Sequence, residues 1–352
     1  MKVLHISRTM GQGGAEKVVY QLCRDCRIDS VVASSGGRYV DALKKNGTKH
    51  YKLIDITNKN PFVFLRNLRE LYRIVEQEKI TIVHSHHRMA ALYAKFLKKK
   101  YKNLSLVYTA HNSFHDKRGL LKYALKNTKI VACGKSVENN LVEYYGFPRE
   151  EITIITNSVE IPKDLKPASL GGGEKKFNVG IIGRLTEQKG IDVFIKAFSK
   201  LDGNVHGFIV GDGELRGWLE RLTQELNLTD KITFLGYRED TLSIIKALDL
   251  VVSASRWEGF PLVPIEAFGC GKTIVASDTA GNTDIVVDGY NGLLFPANDI
   301  YALSEKINKI CSDKSLKNYL EKMSMIDFRD KYSYNIFIGN YKKVYSGFED
   351  GN

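Results

Sequence analysis

The feature that most limits the fold is an alternation that occurs twice along the chain. Short apolar, β-branched runs, VLHIS (3–7), SVVAS (30–34), ITIVHS (80–85), LVYTA (106–110), IVAC (130–133) and ITII (152–155), are separated by longer segments of helical period. Strand, covering helix and strand, repeated, build a parallel sheet with helices on both faces. The pattern restarts with FNVGIIG (177–183), HGFIVG (206–211), ITFLG (232–236), LVVSAS (250–255), TIVAS (273–277) and GLLFP (292–296). Two α/β domains in tandem are therefore expected, since 352 residues exceed the size at which one core usually divides. The stretch PKDLKPASLGGGEKK (162–176), with two Pro and three Gly, reads as the linker between domains at 1–162 and 163–331. In the tail, Ile336, Ile338, Tyr341, Val344 and Tyr345 recur at mixed three-to-four spacing, which predicts a terminal amphipathic helix within 332–352.

Charge is distributed as unevenly as the strands are regularly. The net charge is +12, yet residues 1–162 carry 28 Lys and Arg against 14 Asp and Glu, and the remainder carries 24 against 26. The whole excess lies in the first half, so that half is expected to face something anionic, a phospholipid surface or a diphosphate-bearing acceptor. No RNP-like, zinc-finger or helix-turn-helix signature accompanies it, so nucleic acid is not the expected partner. The opening MKVLHISRTM lacks the pattern of a signal peptide, and no segment has the apolar length of a membrane span. A cytoplasmic location is expected. Five cysteines, with only Cys23 and Cys26 close together, imply no zinc or disulfide framework.

Four segments carry residues suited to chemistry. Glu258 and Glu266 end the stretch EGFPLVPIE; on one continuous helix they would stand roughly 12 Å apart, so they converge only if Glu258 lies in a loop. Pro261 and Pro264 favour a break there, with Glu258, Gly259 and Phe260 in a loop and a helix starting near Pro261, Leu262 and Pro264 and carrying Glu266. GRLTEQKG (183–190) closes the first strand of the second half with Arg184 and Lys189 around a turn, a trap for a diphosphate beside a helix N-terminus. Near the start, GQGGAEKVVYQL places Gly11, Gly13 and Gly14 before a helix carrying Glu16, where backbone amides can approach a phosphate or sugar diphosphate. His111 follows the strand 106–110, at the carboxyl edge where open α/β sheets bind ligands. Gly211 and Gly213 end another strand and either shape the same site or only turn the chain. The groups His84, His86, His87 and His111, His115 lack an acidic residue at ligand spacing, so no metal is expected. There is no D-x-D pair to hold a divalent cation on a diphosphate.

Taken together, G-G-A-E near the start, the His after the strand 106–110, G-R-L-x-x-x-K-G and E-G-F-x-L-x-x-x-E-A resemble the motifs of a retaining family-4 glycosyltransferase of the GT-B fold, from Met1 to about residue 345. The resemblance implies two Rossmann-like domains facing across a cleft, the nucleotide sugar held mainly by the second and the acceptor by the first, with the last helix crossing back. It implies that Glu258 binds donor-sugar hydroxyls with amides near Gly259 and Phe260, that Glu266 binds the ribose, and that Gly183, Arg184 and Lys189 hold the diphosphate. Tyr237 and Arg238 would lie against the base, His111 would contact the transferred sugar, and Gly13 and Gly14 would approach the diphosphate or acceptor. Catalysis would rest on His111, Arg184, Lys189 and Glu258, without a carboxylate nucleophile such as retaining glycosidases use. The chain departs from the family pattern at Asn157-Ser158, where N-G is common, and at Ala280-Gly281 with Asp284, where G-G followed by Glu is common.

On the acceptor side, Glu16, His111, Asn112, His115, Lys117 and Arg118 are the expected contacts. FVFLRNLRELYRIV (62–75), with Arg66, Arg69 and Arg73, and KFLKKKYK (95–102) form a basic, aromatic-bearing surface suited to anionic lipid. The expected function is transfer of a hexose or N-acetylhexosamine from a UDP-sugar, without metal, to a lipid-linked saccharide for capsule, exopolysaccharide or related envelope glycan, by an enzyme peripheral on the inner face of the membrane. The competing readings are a GT-B UDP-sugar epimerase and a non-catalytic lipid- or nucleic-acid-binding module.

Overall fold

The computed structural model describes residues 1–11, 13–170, 176–201 and 203–348. Residues 171–175 of the expected linker, and Gln12 of the first glycine-rich run, lie outside the described residues. The chain divides into two compact units, Met1–Asn157 with Asn335–Asn352, and Ser158–Tyr334. The division falls after Asn157, so residues 158–162, expected in the first domain, count with the second unit.

The first unit is a seven-stranded parallel sheet in the order β3-β2-β1-β4-β5-β6-β7. Its strands are β1 (Val3–Ile6), β2 (Ser30–Ser34), β3 (Lys49–Lys52), β4 (Ile82–Ser85), β5 (Ser105–Ala110), β6 (Lys129–Ala132) and β7 (Ile152–Ile154). All four residues of β1 and of β4 are buried, as expected of central strands covered on both faces. β3 was not expected from the sequence: KHYK has no apolar run, and its first and last residues are exposed because it is an edge strand.

The second unit holds six parallel strands in the order β10-β9-β8-β11-β12-β13. They are β8 (Phe177–Ile182), β9 (Val205–Val210), β10 (Ile232–Gly236), β11 (Leu250–Ser253), β12 (Ile274–Ser277) and β13 (Leu293–Phe295), each within a residue or two of its run in the sequence. In both sheets the strand order reverses beside the first strand, between β1 and β4 and between β8 and β11. The carboxyl ends flanking such a reversal are where open α/β sheets bind ligands.

The helix Tyr334–Ser346 belongs to the first unit from Asn335 onward. It buries Phe337, Ile338, Tyr341 and Tyr345, each apolar side chain contributing about 2 kcal/mol by removal from water. Ile336, expected on the apolar face, is 36% exposed, and Phe337 packs in its place. The Tyr345 hydroxyl lies 2.7 Å from His84 Nδ1 and the Tyr341 hydroxyl 3.1 Å from Thr109 Oγ1, so the helix is also tied by polar contacts to β4 and β5. Among the described residues, no helix is long and apolar enough to cross a membrane.

Candidate functional site

In the second unit the two chain segments at the sheet reversal, 183–190 after β8 and 254–261 after β11, are bound to each other. The Lys189 ammonium donates to Glu258 Oε1 at 2.5 Å, across a sequence separation of 69 residues. Ser255 Oγ donates to the same oxygen at 2.7 Å, and Gln188 Nε2 reaches Oε2 at 3.4 Å and the Trp257 carbonyl at 2.9 Å. The Glu258 side chain is only 8% exposed, so its charge is compensated where water is scarce. Oε1 thus has two donors, while Oε2 keeps most of its capacity to accept from a ligand hydroxyl.

Arg256 joins the same two segments. Its amide donates to the Gln188 carbonyl at 2.7 Å, its Nη1 to the Glu187 carbonyl at 2.7 Å, and its Nη2 to both oxygens of Asp192 at 3.0 and 2.9 Å. Burial pushes the Asp192 carboxyl up, but the Arg256 guanidinium outweighs it and holds the acid below its ordinary range. Gly190 turns with φ 60° between the two segments, and a Cβ there would stand 2.0 Å from the Ala254 carbonyl oxygen. Only glycine allows that approach. The helix Ile191–Phe198 starts immediately afterwards and points the positive end of its dipole toward this corner. Arg184 is exposed beside it.

The break in EGFPLVPIE is as the prolines require. Residues 258–260 are loop, Pro261 caps the helix Leu262–Gly269, and Glu266 is buried on that helix with 7% exposure. Gly259, Phe260 and Pro261 are buried and Leu262 half-buried. A buried polar cluster lies under the loop. Ser277 Oγ donates to the Ser255 carbonyl at 2.6 Å, and Asn282 Nδ2 donates to the Ser277 carbonyl and hydroxyl at 3.1 and 3.0 Å. Gly281 lies against the loop itself, where a Cβ would be 2.8 Å from both Glu258 Cβ and the Gly259 carbonyl. The departure from family pattern at Ala280-Gly281 therefore keeps the one glycine that this contact requires.

The remaining donor-side candidates are placed as follows. Gly211 and Gly213 pack on the 183–185 backbone, since a Cβ on either would meet the Gly183 or Leu185 carbonyl oxygen at 1.9 or 2.5 Å. Tyr237 follows β10 and is 45% exposed, and Arg238 is held in a fork by Asp240 with two 2.7 Å bonds.

In the first unit, Gly13 caps the helix Gly14–Arg24, and Glu16 in its first turn accepts from Thr9 Oγ1 at 2.7 Å. That helix start is therefore already faced by a carboxylate of the chain, favourably oriented in the dipole. His111 Nε2 is 3.1 Å from His86 Nδ1, and burial pushes its pKa down to about 4, so the ring is neutral at pH 7. The 112–117 segment is pinned. Asn140 Oδ1 accepts from the Phe114 amide at 3.1 Å, Asn140 Nδ2 donates to the Phe114 carbonyl at 3.0 Å, Arg88 stacks on the Phe114 ring at 3.9 Å and pairs with Asp116, and His115 lies against Asn140 and Tyr144. Asn112, Lys117 and Arg118 remain exposed.

One grouping differs from the sequence reading. The ring nitrogens that come together are those of His5, His84 and His86, within 4.8 Å of one another, because β1 and β4 pair in register His5 to His84. Such a set could ligate a metal, although each ring already has hydrogen-bonding partners. Asp192, Ser255, Arg256 and Asn282 were missed as well. The available signal was proximity, two of them lying beside Glu258 in SRWEGF and Asp192 just after Lys189.

Two parallel Rossmann-like units, each with its strand order reversed beside its first strand, have the architecture of the GT-B fold. The comparisons narrow this. Residues 12–162 match the family model "Glycosyltransferase Family 4" and residues 162–325 match "Glycosyl transferases group 1". The chain is 30% identical over 346 residues to the UDP-Gal:alpha-D-GlcNAc-diphosphoundecaprenol alpha-1,3-galactosyltransferase of Escherichia coli, covering 90% of this chain and 89% of the relative. It is 31% identical over 172 residues, 49% of this chain and 45% of the relative, to the N,N'-diacetylbacillosaminyl-diphospho-undecaprenol alpha-1,3-N-acetylgalactosaminyltransferase of Campylobacter jejuni. The solved structure of Anabaena HepE in complex with UDP superposes with a TM-score of 0.88 at 21% identity, covering 99% of this chain and 100% of the other. The chain belongs to glycosyltransferase family 4, has the GT-B fold, and is a glycosyltransferase.

Proposed function

We propose that this enzyme transfers a hexose or N-acetylhexosamine from a UDP-sugar, with retention at the transferred carbon, to a lipid-linked saccharide in the assembly of a capsule, exopolysaccharide or related envelope glycan. The observation that carries the reading is the full-length likeness to the E. coli enzyme, whose name specifies UDP-Gal and a diphosphoundecaprenol-linked acceptor. In this reading Arg184, Lys189 and the first amides of the helix Ile191–Phe198 hold the diphosphate without a divalent cation, Glu258 orients the sugar, Glu266 binds the ribose and His111 contacts the transferred sugar. The bond from the anomeric carbon to the diphosphate oxygen breaks, the bond to the acceptor oxygen forms on the same face, and the acceptor proton passes to a donor phosphate oxygen. The cations then stabilise the departing UDP. The test is transfer from UDP-glucose, UDP-galactose, UDP-N-acetylglucosamine and UDP-N-acetylgalactosamine to undecaprenyl-diphosphate-linked saccharides, in EDTA, with the anomeric product read by NMR. Transfer of one sugar to an α-linked product is expected, and no transfer from any of the four defeats the reading.

We place the enzyme in the cytoplasm, peripheral on the inner face of the membrane. Support comes from the helix Pro61–Gln77, which buries Leu68, Leu71, Ile74 and Val75 and leaves Phe62 79% and Leu65 60% exposed, with Arg66, Arg69 and Arg73 exposed on the same helical face. Two apolar side chains beside cations suit an anionic lipid surface, the apolar groups entering it and the guanidinium groups remaining at the headgroups. Phe62→Ser combined with Leu65→Ser is expected to reduce co-sedimentation with phosphatidylglycerol vesicles at least tenfold, from about 2 kcal/mol per side chain. Equal sedimentation of the wild type with neutral phosphatidylcholine vesicles would remove the charge argument.

A further inference from the structure

The first sheet contains a line of hydrogen-bonding side chains that ends at His111 and whose other members have no part in the proposed transfer. Ser30 Oγ lies 3.3 Å from the Ile28 carbonyl oxygen and 3.3 Å from His5 Nε2. His5 Nδ1 lies 3.0 Å from His86 Nε2, and His86 Nδ1 lies 3.1 Å from His111 Nε2. Ser30, His5 and His86 are buried, and His111 as a residue is half-buried.

The direction of this line follows from counting protons. A carbonyl oxygen can only accept, so both Ser30 contacts are hydrogen bonds only when the single hydroxyl proton goes to Ile28 and the Ser30 oxygen receives one from His5 Nε2. The neighbouring Cys23 thiol is a weak acceptor and does not compete with the carbonyl. Burial holds His5, His86 and His111 well below their ordinary pKa, so each ring carries one proton. A proton on His5 Nε2 leaves Nδ1 bare, which requires one on His86 Nε2. That leaves His86 Nδ1 bare and requires one on His111 Nε2, and His111 Nδ1 is left with its lone pair. A second observation agrees with this result: His111 Nδ1 is buried and has no hydrogen-bond partner among the described residues. Were the line reversed, that atom would be an orphaned N–H, which is rarer in proteins than an under-used acceptor, and the Ile28 carbonyl would lose its donor.

We propose that Ser30, His5 and His86 are positioning residues that hold the His111 ring in one tautomer, with Nε2 protonated toward His86 and Nδ1 bare, and so fix the orientation of the ring at the end of β5. The part of the His111 ring in transfer rests on the function proposed above, whereas the tautomer does not. His84 stands outside the line, with Nδ1 against the Tyr345 hydroxyl and Nε2 2.8 Å from Thr109 Oγ1.

The experiment is a two-bond proton–nitrogen correlation spectrum of the full chain labelled with 15N-histidine, free of nucleotide. His5, His86 and His111 are expected to show protonated Nε2 and bare Nδ1. In His86→Leu the His111 signals are expected to move toward a mixture of tautomers, and the transfer rate to fall about tenfold while the thermal shift with UDP is kept, a loss of the size of one neutral hydrogen bond. Ser30→Ala, a smaller change, gives the same reading if His86→Leu does not fold. A protonated Nδ1 on wild-type His111 overturns the proposal. So does an unchanged His111 tautomer in both variants, or a purified protein whose His5, His84 and His86 nitrogens are bound to stoichiometric zinc. A chain with the expected tautomers and no transfer activity would defeat the enzymatic reading and leave the line of protons standing.

Discussion

Lys189→Ala is expected to lower the rate of transfer at saturating substrate about 100- to 1000-fold, the range found when one preorganised donor to a developing oxyanion is removed. Two effects coincide in this substitution. The ammonium sits beside the start of the helix Ile191–Phe198, where the charge of a departing diphosphate would be received, and it is also the partner of Glu258 Oε1 at 2.5 Å. Its removal leaves a carboxylate that is 8% exposed with only the Ser255 hydroxyl and Gln188 for compensation. Glu258 then either takes up water or leaves the position in which Ser255 and Gln188 hold it. Lys189→Arg keeps the charge but replaces a compact ammonium with a longer fork, so partial recovery is expected. The comparison requires kcat for both variants with one donor and one acceptor. A Lys189→Ala enzyme within twofold of wild type would remove this residue from the chemistry.

The second large effect is expected on binding. Glu266→Ala should weaken UDP about 30- to 100-fold, corresponding to 2–3 kcal/mol for a charge-assisted hydrogen bond in a dry site. Glu266 is buried on the helix Leu262–Gly269, which starts where the Glu258 loop ends, so the two carboxylates belong to one continuous stretch. Alanine is the residue best suited to a helix interior, and the variant should fold. At a UDP concentration 100 times the wild-type Kd, the wild type gains about 2.7 kcal/mol of stability, and the variant should gain only a small part of it. The measurement is thermal shift with UDP, GDP and ADP in EDTA on both proteins. A UDP shift of equal size in Glu266→Ala would move the ribose contact to another residue.

Much of this architecture was legible in the amino acids because parallel strands covered on both faces are rich in Val, Ile, Leu and Ala. The runs at 3–7, 80–85 and 250–255 announce themselves in that way, and the corresponding strands β1, β4 and β11 lie at the centre of their sheets. The edge strand β3 carries no such signature, since KHYK is half in water. The loop and helix that separate Glu258 from Glu266 were legible for a local reason, because Pro261 and Pro264 restrict the backbone around them.

The sequence alone determined which segments become strands, the edge strand β3 apart, that there are two sheets, and that Arg184, Lys189 and Glu258 follow strand ends while Glu266 lies on the helix after the Glu258 loop. Those properties depend on local pattern and on backbone chemistry. Only the tertiary structure decided the pairings. Lys189 meets Glu258 and Arg256 meets Asp192 because β8 and β11 are neighbours at the sheet reversal, and His5 enters a line with His86 and His111 because β1 pairs with β4 and β4 with β5. Hydrogen bonds and ion pairs act over about 3 Å, whereas the partners are separated by 25 to 81 residues of chain. Pairing at that range is set by which strands lie side by side, and no local pattern of residues encodes it.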